Sequence, residues 1–307
     1  IHADYLPQLE SITDELGLLK QIYVQGADGE IIESEFESHG FAELTAPDSG
    51  WSGEEPSPRD LMAVMYTSGT TGPSKGATVT HAHAYQYALS VGQMIDLQES
   101  DVYYAPLPLF HIAGQFALVY AACLVGATAV LPGTFSAQAF WKEVRHYKAT
   151  TTFLLGAMAN FLYSQDSKDG DADNPMERVL MVPLIPETEE FKVRFGCRVS
   201  TTWGGTEMNC PTRTTFDLVD NRSCGRLADD LYEVRIVDSD DRELPPGVPG
   251  EALVRAKKPW IISNGYWNHP DWTVTAWRNQ WFHTGDMLVL DEAGNYYFVY
   301  RSKDAIR

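Results

Sequence analysis

The sequence has no apolar run approaching the roughly 20 residues that a membrane-crossing helix requires, so no helical span is expected. Basic residues are also scarce. There are 23 Lys and Arg against 42 Asp and Glu, a net charge of −19, which argues against nucleic-acid phosphates or an anionic lipid surface as partner. Any polyanionic ligand would need local positive charge, or a divalent cation carried with it, to outweigh that field. The four cysteines, Cys123, Cys197, Cys210 and Cys224, show no Cys-x-x-Cys spacing. This suggests neither a zinc knuckle nor a disulfide framework, so reduced thiols in a cytoplasmic setting are expected. The first residues, Ile1-His2-Ala3-Asp4-Tyr5, lack the basic flank and apolar centre of a signal peptide. Asn221-Arg222-Ser223 fits a glycosylation sequon, but nothing else in the sequence points to secretion. Internal repeats and low-complexity tracts are absent.

What is present is an ordinary globular composition over 307 residues, 44% of them apolar, enough to build more than one packed unit. Near the start, a helix is expected around residues 5–16, with Leu6, Leu9 and Ile12 on one face, and strands at Gln21–Val24 and Ile31-Ile32. Residues 44–60 are rich in Pro, Ser, Gly and acid and read as an exposed connection. Leu61–Met65 reads as a buried strand and Ala77–Val79 as another, after which Thr80 can cap a helix running through Tyr87 and Val91.

From residue 101 strands and helices alternate. Strands are expected at 102–105, 128–131, 150–155, 179–182 and 198–202; helices at 113–125, at 187–195, and after Ser136 with Phe140, Val144 and Tyr147 on one face. That order argues a parallel sheet with helices on both faces. After about Pro211, short alternating segments between turn clusters, such as 233–237, 251–255 and 296–300, read as antiparallel β. The expected fold is therefore α/β followed by a small antiparallel, barrel-like subdomain, divided as 1–100, 101–210 and 211–307.

Between the strands at 61–65 and 77–79 lies Tyr66-Thr67-Ser68-Gly69-Thr70-Thr71-Gly72-Pro73-Ser74-Lys75-Gly76. Glycines let a backbone approach an anion, hydroxyls and N–H groups donate hydrogen bonds, and the lysine supplies charge; this is a phosphate-handling composition. It is not a Walker A loop, in which Gly, four residues and then Gly-Lys-Ser/Thr are required. Ser74 stands where the second Gly should be, and Gly76 follows the lysine.

At every position the loop resembles the signature loop of the adenylate-forming superfamily, which includes acyl-CoA synthetases, luciferases and peptide-synthetase adenylation domains. The resemblance implies that Thr67, Ser68, Gly69, Thr70, Thr71, Gly72 and Lys75 hold the outgoing phosphates of ATP. Thr202-Trp203-Gly204-Gly205-Thr206-Glu207 is similar to the family's aromatic-Gly-x-Thr-Glu motif. That implies Trp203 and Gly204 at the adenine, Thr206 at the α-phosphate and Glu207 on Mg²⁺. His283-Thr284-Gly285-Asp286 resembles the motif whose carboxylate accepts from both ribose hydroxyls, a task suited to an acceptor-only group. Its place, after Gly265-Tyr266-Trp267, is also the family's. Arg301-Ser302-Lys303-Asp304 resembles the hinge, where an Arg meets the ribose.

Pro106–Gly114 resembles the acyl-CoA synthetase form of the motif bordering the acyl pocket, with His111 as its gate and Gly114, Gly156 and Ala157 as further lining. The Phe-Asp pair typical of peptide-synthetase domains is absent there. The sequence departs from the family at Met181-Val182-Pro183-Leu184-Ile185-Pro186, where relatives carry small residues against adenine.

The resemblance thus covers residue 60 onward and places the phosphate loop in 1–100, the acyl and adenine sites in 101–210 and the hinge at the end of 211–307. It implies an acid–thiol ligase that uses ATP, Mg²⁺ and coenzyme A on a small carboxylic acid, short or polar acids and carnitine-type ones included. Two alternatives stay open: loading of a carrier protein, or nucleotide binding without catalysis. The last draws on the family's C-terminal lysine, which no residue of this sequence matches; residues 1–307 alone are expected to adenylate poorly.

Overall fold

The computed structural model describes residues 2–17, 19–26, 36–45, 53–67, 74–216, 218 and 220–301. The chain divides into two compact units, Ile1–Glu55 and Pro56–Arg307.

In the first unit, the helix expected over residues 5–16 is only a short α1, Leu6–Glu10, flanked by 3₁₀ turns at Ala3–Tyr5 and Thr13–Glu15. Hydroxyls end it early. Ser11 Oγ donates to the Gln8 carbonyl at 2.7 Å and Thr13 Oγ1 to the Glu10 carbonyl at 2.9 Å, competing for the acceptors a longer helix would use. Strands β1, Gln21–Val24, and β2, Glu37–Gly40, pair in parallel. Ile22, Val24 and Phe36 are buried against Leu6, Leu9 and Leu16. The strand expected at Ile31-Ile32 falls outside the described residues.

The second unit begins with an antiparallel hairpin, β3, Leu61–Thr67, and β4, Lys75–Thr80. Residues 68–73 between them lie outside the described set. Contrary to expectation, β3 is not a buried strand: Leu61 is 43% and Met62 39% exposed, and Met65 alone is buried. Among the described residues β3 pairs with β4 alone, and a strand with one neighbour has less cover than one inside a sheet. Thr80 caps α2, His81–Met94, accepting from the His83 N–H at 3.2 Å as the sequence suggests.

Next come β5, Val102–Tyr104; a π-helix, Ala113–Tyr120, continued by α3, Ala121–Val125; β6, Thr128–Val130; and α4, Ala137–Tyr147. The run closes with β7, Thr151–Leu155; α5, Gly156–Tyr163; β8, Arg178–Val182; α6, Thr188–Phe195; and β9, Arg198–Ser200. The five strands form one parallel sheet in the order β6-β5-β7-β8-β9.

Because side chains alternate along a strand, Tyr103, Phe153 and Leu180 pack on one face with Tyr87 and Val91 of α2 and Phe116. Tyr104, Leu154, Val179 and Met181 pack on the other with Phe140, Val144, Phe191 and Phe195. Helices on both faces explain why these strands are apolar without alternation. At the amino ends of the strands the buried Asp101 and Arg178 form an ion pair, and Thr150 Oγ1 donates to the same carboxylate at 2.7 Å.

The remaining strands are β10, Thr202–Gly205; β11, Asn209–Arg213; β12, Ser223–Leu227; β13, Tyr232–Val237; and β14, Gly250–Ala256. After α7, Pro270–Ala276, follow β15, Phe282–Leu290, and β16, Asn295–Arg301. They form a seven-stranded antiparallel sheet, β10-β11-β12-β16-β15-β14-β13, over a core of Trp203, Tyr232, Ile236, Val254, Phe282 and Tyr296. No helix among the described residues is long and apolar enough to cross a membrane.

One core group carries a pH signature. His83 on α2 is fully buried, neither ring nitrogen has a hydrogen-bond partner, and burial pushes its pKa down to about 3. The folded state thus holds it neutral, while the unfolded chain protonates it near 6.5. Its stabilising effect is complete above the unfolded value and is lost as pH falls from 6.5 toward 3. Across that window His83 is expected to contribute a slope of about 1.4 kcal/mol per pH unit. Urea unfolding of wild type and His83→Gln at pH 7, 6 and 5 checks this: the variant should lose stability less steeply, and parallel slopes would remove His83 as a source.

Candidate active site

In the parallel sheet, β5 is followed by β6 on one side and by β7 on the other, so the topology reverses direction between β5 and β7. Open α/β sheets place ligands outside the carboxyl ends of strands at such a point. Here β5 runs out toward Pro106–Gly114, and β7 ends directly at Gly156, the first residue of α5.

A Cβ at Gly114 would lie 2.2 Å from the Pro108 carbonyl oxygen, so the turn that carries His111 closes only with glycine. His111 Nδ1 accepts from the Ala113 N–H at 3.1 Å, which leaves the ring proton on Nε2. Partial loss of water lowers its pKa, so at neutral pH the imidazole is an uncharged donor. The neighbouring Phe110 is 81% exposed. At Gly156 a Cβ would meet the Pro183 carbonyl oxygen at 2.8 Å, so the departure at 181–186 packs directly against the start of α5.

Lys75 opens β4. Thr67 Oγ1 donates to its carbonyl at 3.3 Å, closing the base of the loop, whose Ser68, Gly69, Thr70, Thr71 and Gly72 lie outside the described residues. Alongside β4 runs the segment 265–267. The Thr78 N–H donates to the Gly265 carbonyl at 3.0 Å and the Trp267 N–H to the Gly76 carbonyl at 2.8 Å. This places the Tyr266 ring beneath the Lys75 ammonium, 5.0 Å from Nζ to centroid, with Trp272 of α7 at 5.5 Å. The Tyr266 hydroxyl donates to Glu207 Oε1 at 3.0 Å. Two candidates 132 positions apart in the sequence are thereby joined through one side chain.

Glu207 sits in the tight connection between β10 and β11, and its own carbonyl accepts from the Ser263 N–H at 2.8 Å. Gly204 is required there, since a Cβ would fall 2.1 Å from the Asn209 carbonyl oxygen. Thr206 is buried beside it. Trp203 is only 5% exposed, and its Nε1–H donates to Asp286 Oδ2 at 2.9 Å. Arg301 Nε donates to the other oxygen, Oδ1, at 2.7 Å. The indole given to adenine and the two groups given to ribose by the resemblance therefore contact one another. Asp286 follows Gly285, a residue at φ +73° whose N–H donates to Glu251 Oε1 at 3.0 Å. Glu251 Oε2 lies 3.2 Å from His283 Nδ1.

The structure thus brings Lys75, Tyr266 and Glu207 together, and Trp203, Asp286 and Arg301 together, the two groups joined by residues 203–207, where β10 runs into the turn that follows it. A hollow of about 730 Å³ lined by Tyr163, Lys168, Asp171, Glu190 and Arg194 contains none of them. Among the described residues no group of three or more His, Cys, Asp or Glu could hold a metal ion. A single carboxylate is the donor set of a Mg²⁺ ion that arrives with substrate phosphates and keeps most of its other ligands as water. Glu207 fits that habit. Tyr266, Trp272 and Glu251 are the participants that motif reading did not assign. The Gly-Tyr-Trp segment marked a position; nothing in the sequence announced its contact with Lys75.

A family model described as AMP-binding enzyme matches residues 3–267. The chain is 34% identical over 261 residues to a crotonobetaine/carnitine–CoA ligase of Salmonella arizonae, a match covering 81% of this chain and 49% of that protein. It spans about half the length of the curated relatives it matches. Among solved structures it resembles a protein of Rhodopseudomonas palustris assigned as a long-chain-fatty-acid CoA ligase, at TM-score 0.83 and 27% identity, covering 98% of this chain and 72% of the other. It also shares the fold of ATP-bound MatB from the same organism, at TM-score 0.85 and 23% identity, covering 99% and 59%.

Proposed function

Because the chain belongs to the AMP-binding enzyme family, we propose that it carries the nucleotide half of an enzyme that activates a small carboxylic acid with ATP and transfers the acyl group to coenzyme A. One observation carries this reading. The phosphate-loop lysine, the carboxylate suited to a metal and the late Asp286 are linked through Tyr266 and the β10 segment into one constellation.

In the first step a substrate carboxylate oxygen attacks the α-phosphorus, the bond to the β-phosphate breaks, and acyl-AMP and pyrophosphate result. In the second, the coenzyme A thiol attacks the acyl carbon, AMP leaves and a proton is released. The chain needs no covalent nucleophile for either step. Its contribution is positioning and charge. Lys75, with Thr67, Ser68, Gly69, Thr70, Thr71 and Gly72, would bind the departing pyrophosphate. Glu207 would hold Mg²⁺, which when bound neutralises phosphate charge. Thr206 would donate to the α-phosphate, Trp203 and Gly204 would border the base, and Asp286 with Arg301 would bind the ribose. His111, neutral at pH 7 with its proton on Nε2, would donate to the acid's carboxylate.

Short, polar acids of the carnitine type fit best. Relatives at 32–34% identity are named crotonobetaine/carnitine–CoA ligases, and the His111 turn offers an uncharged donor. The test is a panel of carboxylates scored by pyrophosphate release with the full protein, followed by thioester detection. Release with a small polar acid and a thioester on free coenzyme A are the expected results. A thioester found only on a carrier's phosphopantetheine arm would reassign the acceptor, and ATP binding without release for any acid would reduce the role to nucleotide binding.

A further inference from the structure

Tyr266 touches both charged groups of the phosphate end. Its hydroxyl donates to Glu207 Oε1 at 3.0 Å while the Lys75 ammonium sits over its ring at 5.0 Å. The ring itself is held. The Tyr266 N–H donates to Thr273 Oγ1 at 2.9 Å, Ala77 and Tyr266 form an antiparallel bridge, and Trp272 and Trp277 pack edge-on at 6.5 and 5.8 Å. Gly265 must be glycine, at φ +131° with Thr273 atoms 2.4 Å from where a Cβ would stand. The supports are a backbone bridge, the Thr273 hydroxyl and two large packed rings, so the phenol has little freedom.

We infer that Tyr266 is a positioning residue for MgATP: its hydroxyl orients the Glu207 carboxylate toward the metal, and its ring face sets where the Lys75 ammonium stands. The inference rests on the nucleotide-activating reading above. The tyrosine engages each charged group differently. A hydrogen bond occupies one lone pair on Oε1 and fixes the carboxylate's rotation, and a cation–π contact attracts the ammonium through the ring quadrupole without accepting at a lone pair.

Tyr266→Phe removes one oxygen and keeps the ring, whereas Tyr266→Leu removes both functions. Calorimetric titration of ATP into the protein, with and without Mg²⁺, separates them. For Tyr266→Phe the Mg²⁺ concentration that half-saturates the enhancement of ATP binding should rise about tenfold, the loss of one hydrogen bond to a charged group, with metal-free ATP affinity within twofold of wild type. Tyr266→Leu should also weaken metal-free ATP binding, because Lys75 loses its platform. If Tyr266→Phe leaves the Mg²⁺ dependence unchanged, or weakens metal-free and metal-bound ATP alike, Tyr266 is a packing residue and the inference is wrong. If wild type binds no ATP under either condition, the functional reading fails and this inference fails with it, a pattern distinct from the first.

Discussion

Glu207→Gln is expected to lower kcat/KM for carboxylate-dependent pyrophosphate release by about 10²- to 10³-fold, the scale seen when one preorganised electrostatic group is removed from a transition state. The exchange is close to isosteric. A Gln carbonyl can still accept from the Tyr266 hydroxyl, and the turn between β10 and β11 stays pinned by the Ser263 N–H to the residue's own carbonyl at 2.8 Å. What disappears is one negative charge at the position suited to Mg²⁺. The loss should be partly recovered by raising Mg²⁺, because a weaker site fills at higher metal concentration. A fall of less than about threefold, with the Mg²⁺ dependence unaltered, would remove Glu207 from the site.

Asp286→Ala should destabilise the Pro56–Arg307 unit by about 2–4 kcal/mol. Asp286 is 2% exposed, and its two oxygens accept from the Trp203 indole and from Arg301. Removing the carboxylate leaves the indole N–H, itself in the core, without an acceptor; an unsatisfied buried donor costs about 1–3 kcal/mol, and a hydrogen bond to a charged group is lost as well. The Arg301 share is small, because its side chain is 47% exposed and can turn to water. Urea midpoints at constant m report the change. Asp286→Asn keeps an acceptor for Trp203 and should cost less than half as much. Trp203→Phe should cost much less in the Asp286→Ala background than in wild type, since the donor has then already lost its partner. A change within 0.5 kcal/mol for Asp286→Ala would mean that the carboxylate contributes little to the fold, and that its pairing with Trp203 is incidental.

These two residues show what a one-dimensional reading misses. The resemblance named Trp203, Asp286 and Arg301 for separate moieties of one ligand; folded, they hold each other. The pairing spans 83 positions in the sequence, and no periodicity encodes a partner at that distance. Tyr266 and Glu207 meet across 59 positions in the same way. Locally encoded features were clearer. Thr80 and Ser136 cap their helices as expected, the second by accepting from the Ala139 N–H at 3.3 Å. Where the local reading failed, a competing contact explains it. The hydroxyls of Ser11 and Thr13 shorten α1, β3 has a single neighbouring strand among the described residues, and Tyr147, on the expected inner face of α4, is 44% exposed.

By itself the sequence determined the class of the fold and its larger parallel and antiparallel sheets, because strand and helix periodicities, caps and glycine-rich turns act over a few residues and need no distant partner. Only the tertiary structure decided which chemical groups are neighbours: Lys75 over Tyr266, Tyr266 on Glu207, Trp203 and Arg301 on Asp286. Those contacts form when residues remote in the chain are packed together. Their geometry is a property of how the sheets and α7 pack, which no short stretch of residues carries alone.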